Sequence, residues 1–335
     1  MVYGANGYSG SLLARLAVIR GERPVLAGRS AAPVAALAAE LGLPHRVGPL
    51  TPGLLEGVDA VVNCAGPFAE TAGPAVAACL AAGAHYLDIT GELDVFEDMF
   101  GHDGAARAAG VTMITGAGFD VVPTDCLAAL LAAELPGAVA LEIAFHAPGG
   151  MSRGTARTAF AEMGAGAARR IGGELVPTRY GTPSRTVPFP SGPRRVGATR
   201  WGDLVTAYRS TGIPDITVSM PLPPGAALVS GCAKALRLGP LRRLARALVR
   251  RGGPSAARRA GTGCEAWAEV RDAFGATRSA TLSGPNAYAL TADASLRALQ
   301  RVRAGEVPPG VHTPSAAFGA DFVRTLDGVT VTMAG

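Results

Sequence analysis

The sequence predicts an α/β protein that opens with a doubly wound parallel sheet and continues into a second domain. The chain has 335 residues, more than one ordinary hydrophobic core accommodates. Its first third alternates short apolar strands with helices, the pattern of a parallel sheet covered on both faces. A glycine-rich turn joins the first strand to the first helix. In the remainder, longer connections replace this alternation.

The alternation itself can be followed strand by strand. The predicted strands are 2–3, 24–27, 60–63, 86–89 and 111–115. Helices are expected between them, each ending at a glycine: Gly21, Gly42, Gly83 and Gly110. A strand, a crossover helix and the next strand at this spacing predict that successive strands lie parallel.

Composition excludes several classes of protein. With 48% hydrophobic and 17% charged residues the chain is not disordered, and 5% aromatic residues leave few side chains to stack on nucleic-acid bases. The five cysteines are scattered and contain no Cys-x-x-Cys pair, and no signal-peptide pattern precedes the first motif. We therefore expect a reduced, cytoplasmic protein. No apolar run is long enough to predict a transmembrane helix.

The turn after the first strand carries the most specific pattern. Gly4, Gly7 and Gly10 are each separated by two residues, with a strand before them and a helix after them. In dinucleotide-binding turns the first glycine permits the tight turn, the second lets backbone amides approach a pyrophosphate, and the third lets the helix pack on the strand. The positive end of the helix dipole adds to the attraction. The sequence predicts a dinucleotide site here.

The end of the second strand indicates which dinucleotide is bound. An NAD site places a carboxylate there to accept a hydrogen bond from the ribose 2′-hydroxyl. This chain has Arg29 and Ser30 instead. A guanidinium binds phosphate through two parallel hydrogen bonds, so we expect NADPH rather than NADH.

Two more strand ends are expected on the same rim, because ligands of such sheets bind beyond the carboxyl ends of the strands. The segment 64–68, after the strand at 60–63, is expected to line the cofactor, with Phe68 towards the nicotinamide. Asp88 and Glu92 follow the next strand. These two acids have a second interpretation as caps of the helix that follows.

Five segments of the first third together resemble saccharopine dehydrogenase-like oxidoreductases. They are residues 4–10, 26–30, 62–68, 86–92 and 118–125. In the second half, residues 152–157 and 313–319 are similar to the trans-acting enoyl reductase branch of that family. The family's first strand begins several residues earlier, so we expect a short first strand in this chain.

The resemblance implies three parts and a set of site residues. A Rossmann-type NADP-binding domain is expected over 1–123, a substrate-binding α+β domain on an open mixed sheet over 124–312, and a C-terminal segment returning to the first domain over 313–335. The predicted cofactor-binding residues are Gly4, Asn6, Gly7, Tyr8, Ser9, Gly10, Arg29, Ser30, Cys64, Ala65, Gly66, Pro67 and Phe68.

The second half is harder to interpret from its residues. A half-buried strand is expected at 141–146, a helix over 153–168, and a loop rich in proline, glycine and arginine over 177–200. Further strands are expected at 216–220, 265–271 and 287–290, and a helix over 292–303.

The sequence excludes some of the residue sets that other reductases use to transfer a proton. Lys234 is the only lysine and residue 230 is Ser230, so a Tyr-x-x-x-Lys pair is impossible. The histidines and cysteines lack metal-ligand spacing, so no metal is predicted. Asp120, just after the last strand of the alternation, is the first candidate proton donor and His146, at a strand end, is the second. A helix cap and a buried sheet histidine are their structural alternatives, and water is a further proton source. Other candidates are Tyr86, Asp125, Tyr180 and Tyr208.

A basic amphipathic segment runs from Lys234 to Arg259 with nine cations and no acid. Three interpretations remain open: a solvated helix with its apolar side on the core, a docking surface for an acidic acyl carrier protein through Arg242, Arg243 and Arg246, or a contact with an anionic membrane surface. Nucleic acid is disfavoured because no aromatic side chains are interleaved with the cations.

Taken together, these observations predict an NADPH-dependent reductase of an α,β-unsaturated acyl thioester, carried by a carrier protein in lipid or polyketide biosynthesis. A saccharopine-type reductase of an imine from an amine and a keto acid is the first alternative, since Arg153, Arg157, Arg179 and Arg200 can bind carboxylates. A non-catalytic NADP-binding scaffold is the second.

Overall fold

The structure is a computed structural model and describes residues 1–156, 166–222 and 252–334. It contains two compact domains. The first consists of Met1–Val122 with Tyr288–Gly319, and the second of Pro123–Ala287 with Ala320–Gly335. The returning segment therefore differs from the predicted 313–335. It starts at a helix near Tyr288 and stops at Gly319, because the last residues form a strand of the second sheet.

The first domain is a seven-stranded sheet with every described pair of neighbours parallel. Its strands are β1 (Val2–Tyr3), β2 (Leu26–Gly28), β3 (His45–Val47), β4 (Ala60–Asn63), β5 (His85–Asp88), β6 (Thr112–Ile114) and β15 (Gly310–His312). Their order is β15-β6-β5-β4-β1-β2-β3. The predicted Rossmann-type sheet is confirmed, with β3 as a strand that periodicity did not reveal.

Helices connect these strands. They are α1 (Tyr8–Ile19), α2 (Ala31–Leu41), α3 (Phe68–Ala82), α4 (Leu93–Gly101) and α5 (Asp103–Ala108). The single helix expected before Gly110 is divided into two, α4 and α5. Gly42 and Gly83 end α2 and α3 in the left-handed conformation, at φ 63° and φ 66°, which glycine adopts without a Cβ clash. Because all strands are parallel, the loops that follow β1, β2, β4, β5 and β6 share one rim of the sheet.

The second domain is built on a mixed sheet, as predicted. Its described elements are α6 (Val122–Glu134), β7 (Ala138–His146), β8 (Ala167–Ile171), β9 (Glu174–Thr178), β10 (Ser184–Phe189), β11 (Gly192–Ala198), α7 (Asp203–Thr211), β12 (Asp215–Pro221), α8 (Ala256–Ala260), β13 (Cys264–Asp272), β14 (Thr277–Gly284) and β16 (Thr330–Ala334). The strand order is β10-β11-β12-β7-β13-β14-β16, with β8 paired to β12 and β9 to β8. β7 is parallel to β12 and antiparallel to β13.

Three sequence-based element predictions for the second half are wrong. Residues 177–200, expected as a loop, contain the antiparallel hairpin β10–β11. Its prolines, Pro188 and Pro193, face each other on strands near the sheet edge, where a missing amide donor is tolerated. The helix expected through residue 168 does not extend that far, because β8 begins at Ala167. The strand expected at 287–290 is the first turn of α9 (Ala287–Arg303).

The last elements of the first domain bring distant sequence back to its sheet. Helix α9 is tied to α1 by an ion pair between Arg20 and the buried Asp293, with 2.6 Å between the nitrogen and the oxygen. Strand β15 then pairs with β6, and α10 (Pro314–Phe318) follows, capped by the Thr313 side chain. The domain boundary could not be located from local patterns, because residues far along the chain complete the Rossmann sheet.

In the parts of the chain that the structure describes, no helix combines the length and hydropathy needed to cross a bilayer.

The turn after β1 generates a test of close backbone packing. Gly4 has φ +74°, and a Cβ there would lie 2.8 Å from the backbone nitrogen of Ala65. Gly21 also has positive φ, at +83°, but a Cβ there would meet no atom within 4 Å. We expect Gly21→Ala to lower the free energy of unfolding by about 1–2 kcal/mol, through the left-handed backbone alone. Gly4→Ala should cost about 1–3 kcal/mol more, through overpacking. Chemical denaturation measures both, and equal losses would contradict the close approach.

Candidate functional site

The glycine turn is shaped entirely by main-chain contacts. The amide of Ala5 donates to the carbonyl of Ala27 at 3.1 Å, and the amide of Gly7 donates to the carbonyl of Gly4 at 2.9 Å. A Cβ on Gly10 would collide with the Gly4 carbonyl oxygen. The chain therefore turns directly from β1 into α1 with the helix packed against the strand, as the spacing of the glycines predicts.

Helix α1 begins with its amide groups facing the rim. Gly7 is its N-cap and has no side chain, and its first turn contains no acidic residue. The first amides of a helix have no partner within the helix, and the helix dipole makes them attractive to an anion. These features suit a diphosphate at Tyr8, Ser9 and Gly10.

The first two amides of helix α3, on the same rim, are hydrogen-bonded within the protein. The carboxylate of Glu92 accepts hydrogen bonds from the amides of Phe68 at 2.9 Å and Ala69 at 2.8 Å, the first two residues of the helix. The first turn of α3 is thus satisfied internally. These two amides of α3 are therefore not available to an external phosphate.

Two polar side chains follow β2 where a 2′-phosphate would lie. Arg29 and Ser30 are exposed, and the first turn of α2 contains no acidic residue. Arg29 lies near Tyr3, where its positive charge opposes the effect of burial, which raises the pKa of the Tyr3 hydroxyl. Asn6 reaches this corner as well, because its side-chain oxygen would lie 3.0 Å from a Cβ on Gly28. The structure thus brings Asn6 to the loop that carries Arg29.

The segment after β4 is held in place by buried hydrogen bonds. The side chain of Asn63 accepts from the amide of Ala65 at 3.0 Å and donates to the hydroxyl of Tyr86 at 3.2 Å. The Thr71 hydroxyl donates to the carbonyl of Ala65. Ala65 in turn lies against Gly4. The structure therefore brings the 64–67 segment to the glycine turn, as expected for one wall of a cofactor site.

Burial restricts what three of the predicted site residues can do chemically. Burial raises the pKa of the Cys64 thiol to about 12, so it stays protonated at neutral pH and is no nucleophile. The ring of Phe68 is 8% exposed and belongs to the apolar core of the domain, rather than standing out towards a nicotinamide. Burial also raises the pKa of Tyr86 well above 10, which makes it a structural hydroxyl and a poor proton donor.

Asp88 ties the ends of β5 and β6 together. Its carboxylate accepts from the amides of Gly116 at 2.8 Å and Thr90 at 3.1 Å, and it is fully buried. Burial raises the pKa of Asp88 to about 6, against the lowering effect of those hydrogen bonds. The alternative interpretation of Asp88 and Glu92 as structural carboxylates at the rim is therefore what the geometry supports. Glu92 is the N-cap of α4 through its main chain, while its side chain accepts from the first amides of α3.

Asp120 lies on the rim beside Glu92. Gly91 leaves room for it, since a Cβ there would lie 3.1 Å from the Asp120 Cβ and 3.2 Å from its Oδ2. Burial, and after it the negative charge of Glu92, raise the pKa of Asp120 to about 7. A carboxyl group that keeps its proton near neutral pH is suited to act as a general acid.

Helix α9 supplies contacts to this rim that sequence reasoning missed. The Thr291 hydroxyl accepts from the amide of Phe119 at 3.0 Å, and the Ser295 hydroxyl donates to the carbonyl of Ala117 at 2.8 Å. The ring of Tyr288 packs edge-on against Tyr8, with 4.8 Å between the ring centres. No local signal relates α9 to the rim, because Thr291 and Ser295 lie 172 and 178 positions after the residues they contact.

His146 belongs to a polar cluster on the sheet of the second domain. Its Nδ1 lies 3.7 Å from the Glu265 carboxylate, which also accepts from the amide and the hydroxyl of Ser191 at 2.7 Å each. The ring lies near Phe189. Burial and the charge of Arg194 lower the pKa of His146, against the opposing effect of Glu265. At neutral pH His146 is therefore the neutral imidazole, with no extra proton to give.

The remaining predicted residues lie outside the described residues or away from these clusters. Arg157, Arg242, Arg243 and Arg246 lie outside the described residues, as does most of the basic segment. Asp125 is buried at the start of α6 and bonds with Ser210 in a structural contact between α6 and α7.

Comparison with known proteins agrees with this geometry. Residues 1–114 match the family model described as the saccharopine dehydrogenase NADP binding domain. The first third of the chain is thus similar to the NADP-binding domain of saccharopine dehydrogenases. The resemblance inferred from the five segments of the first third is confirmed, and the turn, the rim and the Arg29 corner all lie in or beside this NADP-binding domain.

Curated relatives match about a third of this chain. The trans-acting enoyl reductase of Mycobacterium leprae is 36% identical over 138 residues, which cover 37% of this chain and 33% of that protein. The Mycobacterium tuberculosis (strain H37Rv) protein of the same name is 34% identical over 138 residues, with the same shares. The matched part thus spans about a third of the length of these relatives.

Solved structures show the same fold over the whole chain. The apo saccharopine dehydrogenase (L-Glu forming) of Saccharomyces cerevisiae has a TM-score of 0.63 at 11% identity, covering 100% of this chain and 99% of that one. The homospermidine synthase of Legionella pneumophila, in complex with NAD, has a TM-score of 0.65 at 12% identity, covering 99% and 90%. At this identity the likeness concerns the fold alone.

The Arg29 corner generates a test of cofactor preference. We expect Arg29→Ala to raise the dissociation constant of NADPH roughly tenfold to hundredfold, because a charge-assisted bond to the 2′-phosphate is lost. The dissociation constant of NADH should change little. Arg23, an exposed arginine that precedes β2 at the opposite edge of the sheet, is the matched control as Arg23→Ala. Fluorescence titration with both nucleotides measures the effect, and an equal loss for NADPH and NADH would refute the phosphate role.

Proposed function

We propose that this protein is an NADPH-dependent reductase, and that its substrate is an α,β-unsaturated acyl thioester. The observation that carries the proposal is the combination, on one rim, of a glycine-capped α1 with no acid in its first turn and an Arg29 corner without a carboxylate. A diphosphate at the first and a 2′-phosphate at the second describe NADPH. The closed turn of α3 leaves no competing anion site at that helix.

The residues of the first domain fit this cofactor sterically. Gly4 and Gly10 lie where any Cβ would meet main chain. The turn therefore packs tightly against the segment after β4 and keeps the first amides of α1 at the rim. Amides of the first turn of α1 would bind the diphosphate, and Arg29 with Ser30 the 2′-phosphate. Ala65, Gly66 and Pro67 would form the wall on the nicotinamide side. When bound, the reduced nicotinamide supplies a hydride.

Reduction of a carbon–carbon double bond also consumes a proton. In the proposed reaction the hydride adds to the β-carbon and a proton adds to the α-carbon, which leaves a saturated thioester and NADP⁺. Asp120 is the better proton donor of the two candidates, because its pKa of about 7 keeps a proton available, whereas the lowered pKa of His146 removes its own.

The curated relatives support the thioester over other acceptors. The curated relatives cited above, which match about a third of this chain, are named trans-acting enoyl reductases. The domain family itself is named for saccharopine dehydrogenase, which keeps imine reduction as the second candidate. The candidate arginines for substrate carboxylates, Arg153, Arg179 and Arg200, all belong to the second domain. Docking of a carrier protein through Arg242, Arg243 and Arg246, and a cytoplasmic location, remain predictions.

The decisive experiment compares substrates side by side. Purified full-length protein is given NADPH with a series of enoyl thioesters, and separately with amine and keto-acid pairs, while NADPH absorbance is followed. We expect oxidation with the thioesters only. Asp120→Asn should slow it by roughly a hundredfold, as loss of a general acid does, and Asp98→Asn, an exposed acid of α4, should leave it unchanged. Oxidation only with the amine pairs would establish the second candidate. NADPH binding without oxidation of any kind would indicate a non-catalytic scaffold.

A further inference from the structure

Glu92 occupies an unusual position on the rim, between the segment after β4 and the segment after β6. The residue is 6% exposed, and both of its carboxylate oxygens are engaged by the first two amides of α3. A carboxylate at this point completes the first turn of the helix and interacts favourably with its dipole. The helix start, and with it the turn formed by Ala65, Gly66 and Pro67, is therefore held by a residue from the β5–α4 loop.

The same loop determines where Asp120 lies. Gly91 has no side chain, and the Asp120 carboxyl lies over it at the distances already given, next to Glu92. The β5–α4 loop is itself fixed, because the amide of Glu92 donates to the Thr90 hydroxyl at 3.1 Å and the amide of Thr90 donates to Asp88. Asp120 and the α3 start thus share one support.

We propose that Glu92 is a positioning residue that fixes the 65–67 turn and holds Asp120 as a proton donor at the same rim. The proposal rests on the proposed function for the use of that proton, but its structural content concerns only this chain. One carboxylate would then set both the wall along which a nicotinamide lies and the acid beside it. Glu92 would act through the two amides and through Asp120, which is why it is a positioning residue.

The charges around Asp120 in the described first domain give Glu92 this role. From the β5–α4 loop, Glu92 faces it and its negative charge favours the protonated form. From β5, Asp88 is turned towards the amides of Gly116 and Thr90. From α9, Thr291 contacts the neighbouring Gly118 and Phe119 and is uncharged. Removing the charge of Glu92 while keeping its shape should therefore change the proton affinity of Asp120.

The test is Glu92→Gln in the full-length protein, with two readouts that need no turnover. Carboxyl NMR of protein labelled at aspartate, with the Asp120 signal assigned by its loss in Asp120→Asn, measures the proton affinity of Asp120. We expect this affinity to fall roughly tenfold, as removal of a nearby like charge allows. Hydrogen exchange of the Phe68 and Ala69 amides should accelerate roughly fivefold or more, because in Glu92→Gln a side-chain NH2 group, which donates and does not accept, replaces one of the two oxygens that these amides bond to.

The matched control is Glu70→Gln, which removes an exposed acid from the first turn of the same helix. It should change neither readout. An unchanged Asp120 titration, or unchanged exchange at Phe68 and Ala69, in folded Glu92→Gln would overturn the proposal. Where Glu92→Gln does not fold, Glu92→Asp keeps the charge but shortens the reach. It should accelerate amide exchange while Asp120 retains most of its proton affinity, and the opposite pattern would overturn the proposal.

The two proposals can fail separately. In active protein, Glu92→Gln should move the alkaline fall of the reduction rate to lower pH, because Asp120 loses its proton earlier. If Asp120→Asn retains full activity while both structural readouts follow the expectation, Asp120 is not the proton donor and the proposed chemistry fails at that step. The placement of Asp120 by Glu92 would still be supported, and its role in proton donation would be overturned.

Discussion

The close approach of Gly4 to Ala65 is the contact on which the first domain's site depends. It joins the turn after β1 to the segment after β4 through main chain, with no room for a Cβ between them. That approach lets α1 start directly above the sheet with its first amides at the rim. It also places the segment after β4 beside those amides. A side chain at this point would push apart the two surfaces that a dinucleotide must contact together.

The rest of the rim is organised by buried carboxylates rather than by apolar packing. Asp88 accepts hydrogen bonds from amides of the segments after β5 and β6, and Glu92 accepts hydrogen bonds from the first two amides of α3. Buried acids are tolerated only when they are hydrogen-bonded, and here the donors are main-chain amides that loops would otherwise leave unsatisfied. The consequence is a set of loops held at fixed distances from one another. The raised pKa of Asp120 follows from the same arrangement, since it lies buried beside one of these charges.

Much of the first domain could be predicted because its signals are local. Gly4, Gly7 and Gly10 are forced by contacts within a few residues or with adjacent strands, and Arg29 follows a strand whose position the alternation reveals. The hairpin at 184–198 could not be predicted, since its prolines disfavour a strand everywhere except near a sheet edge, and only the tertiary structure shows that edge. Thr291, Ser295 and Tyr288 were missed for a related reason: their contacts join residues far apart in sequence. The burial of Phe68 in the apolar core could not be predicted either, because proximity to a rim does not determine which way a ring points.

The most direct measurement is a crystal structure of the protein with NADPH. We expect the diphosphate on the amides of the first turn of α1, the 2′-phosphate against Arg29 and Ser30, and the Glu92 carboxylate still on the amides of Phe68 and Ala69. Phosphates bound at the start of α3, with Glu92 displaced, would contradict this arrangement, and so would a nucleotide bound anywhere other than this rim.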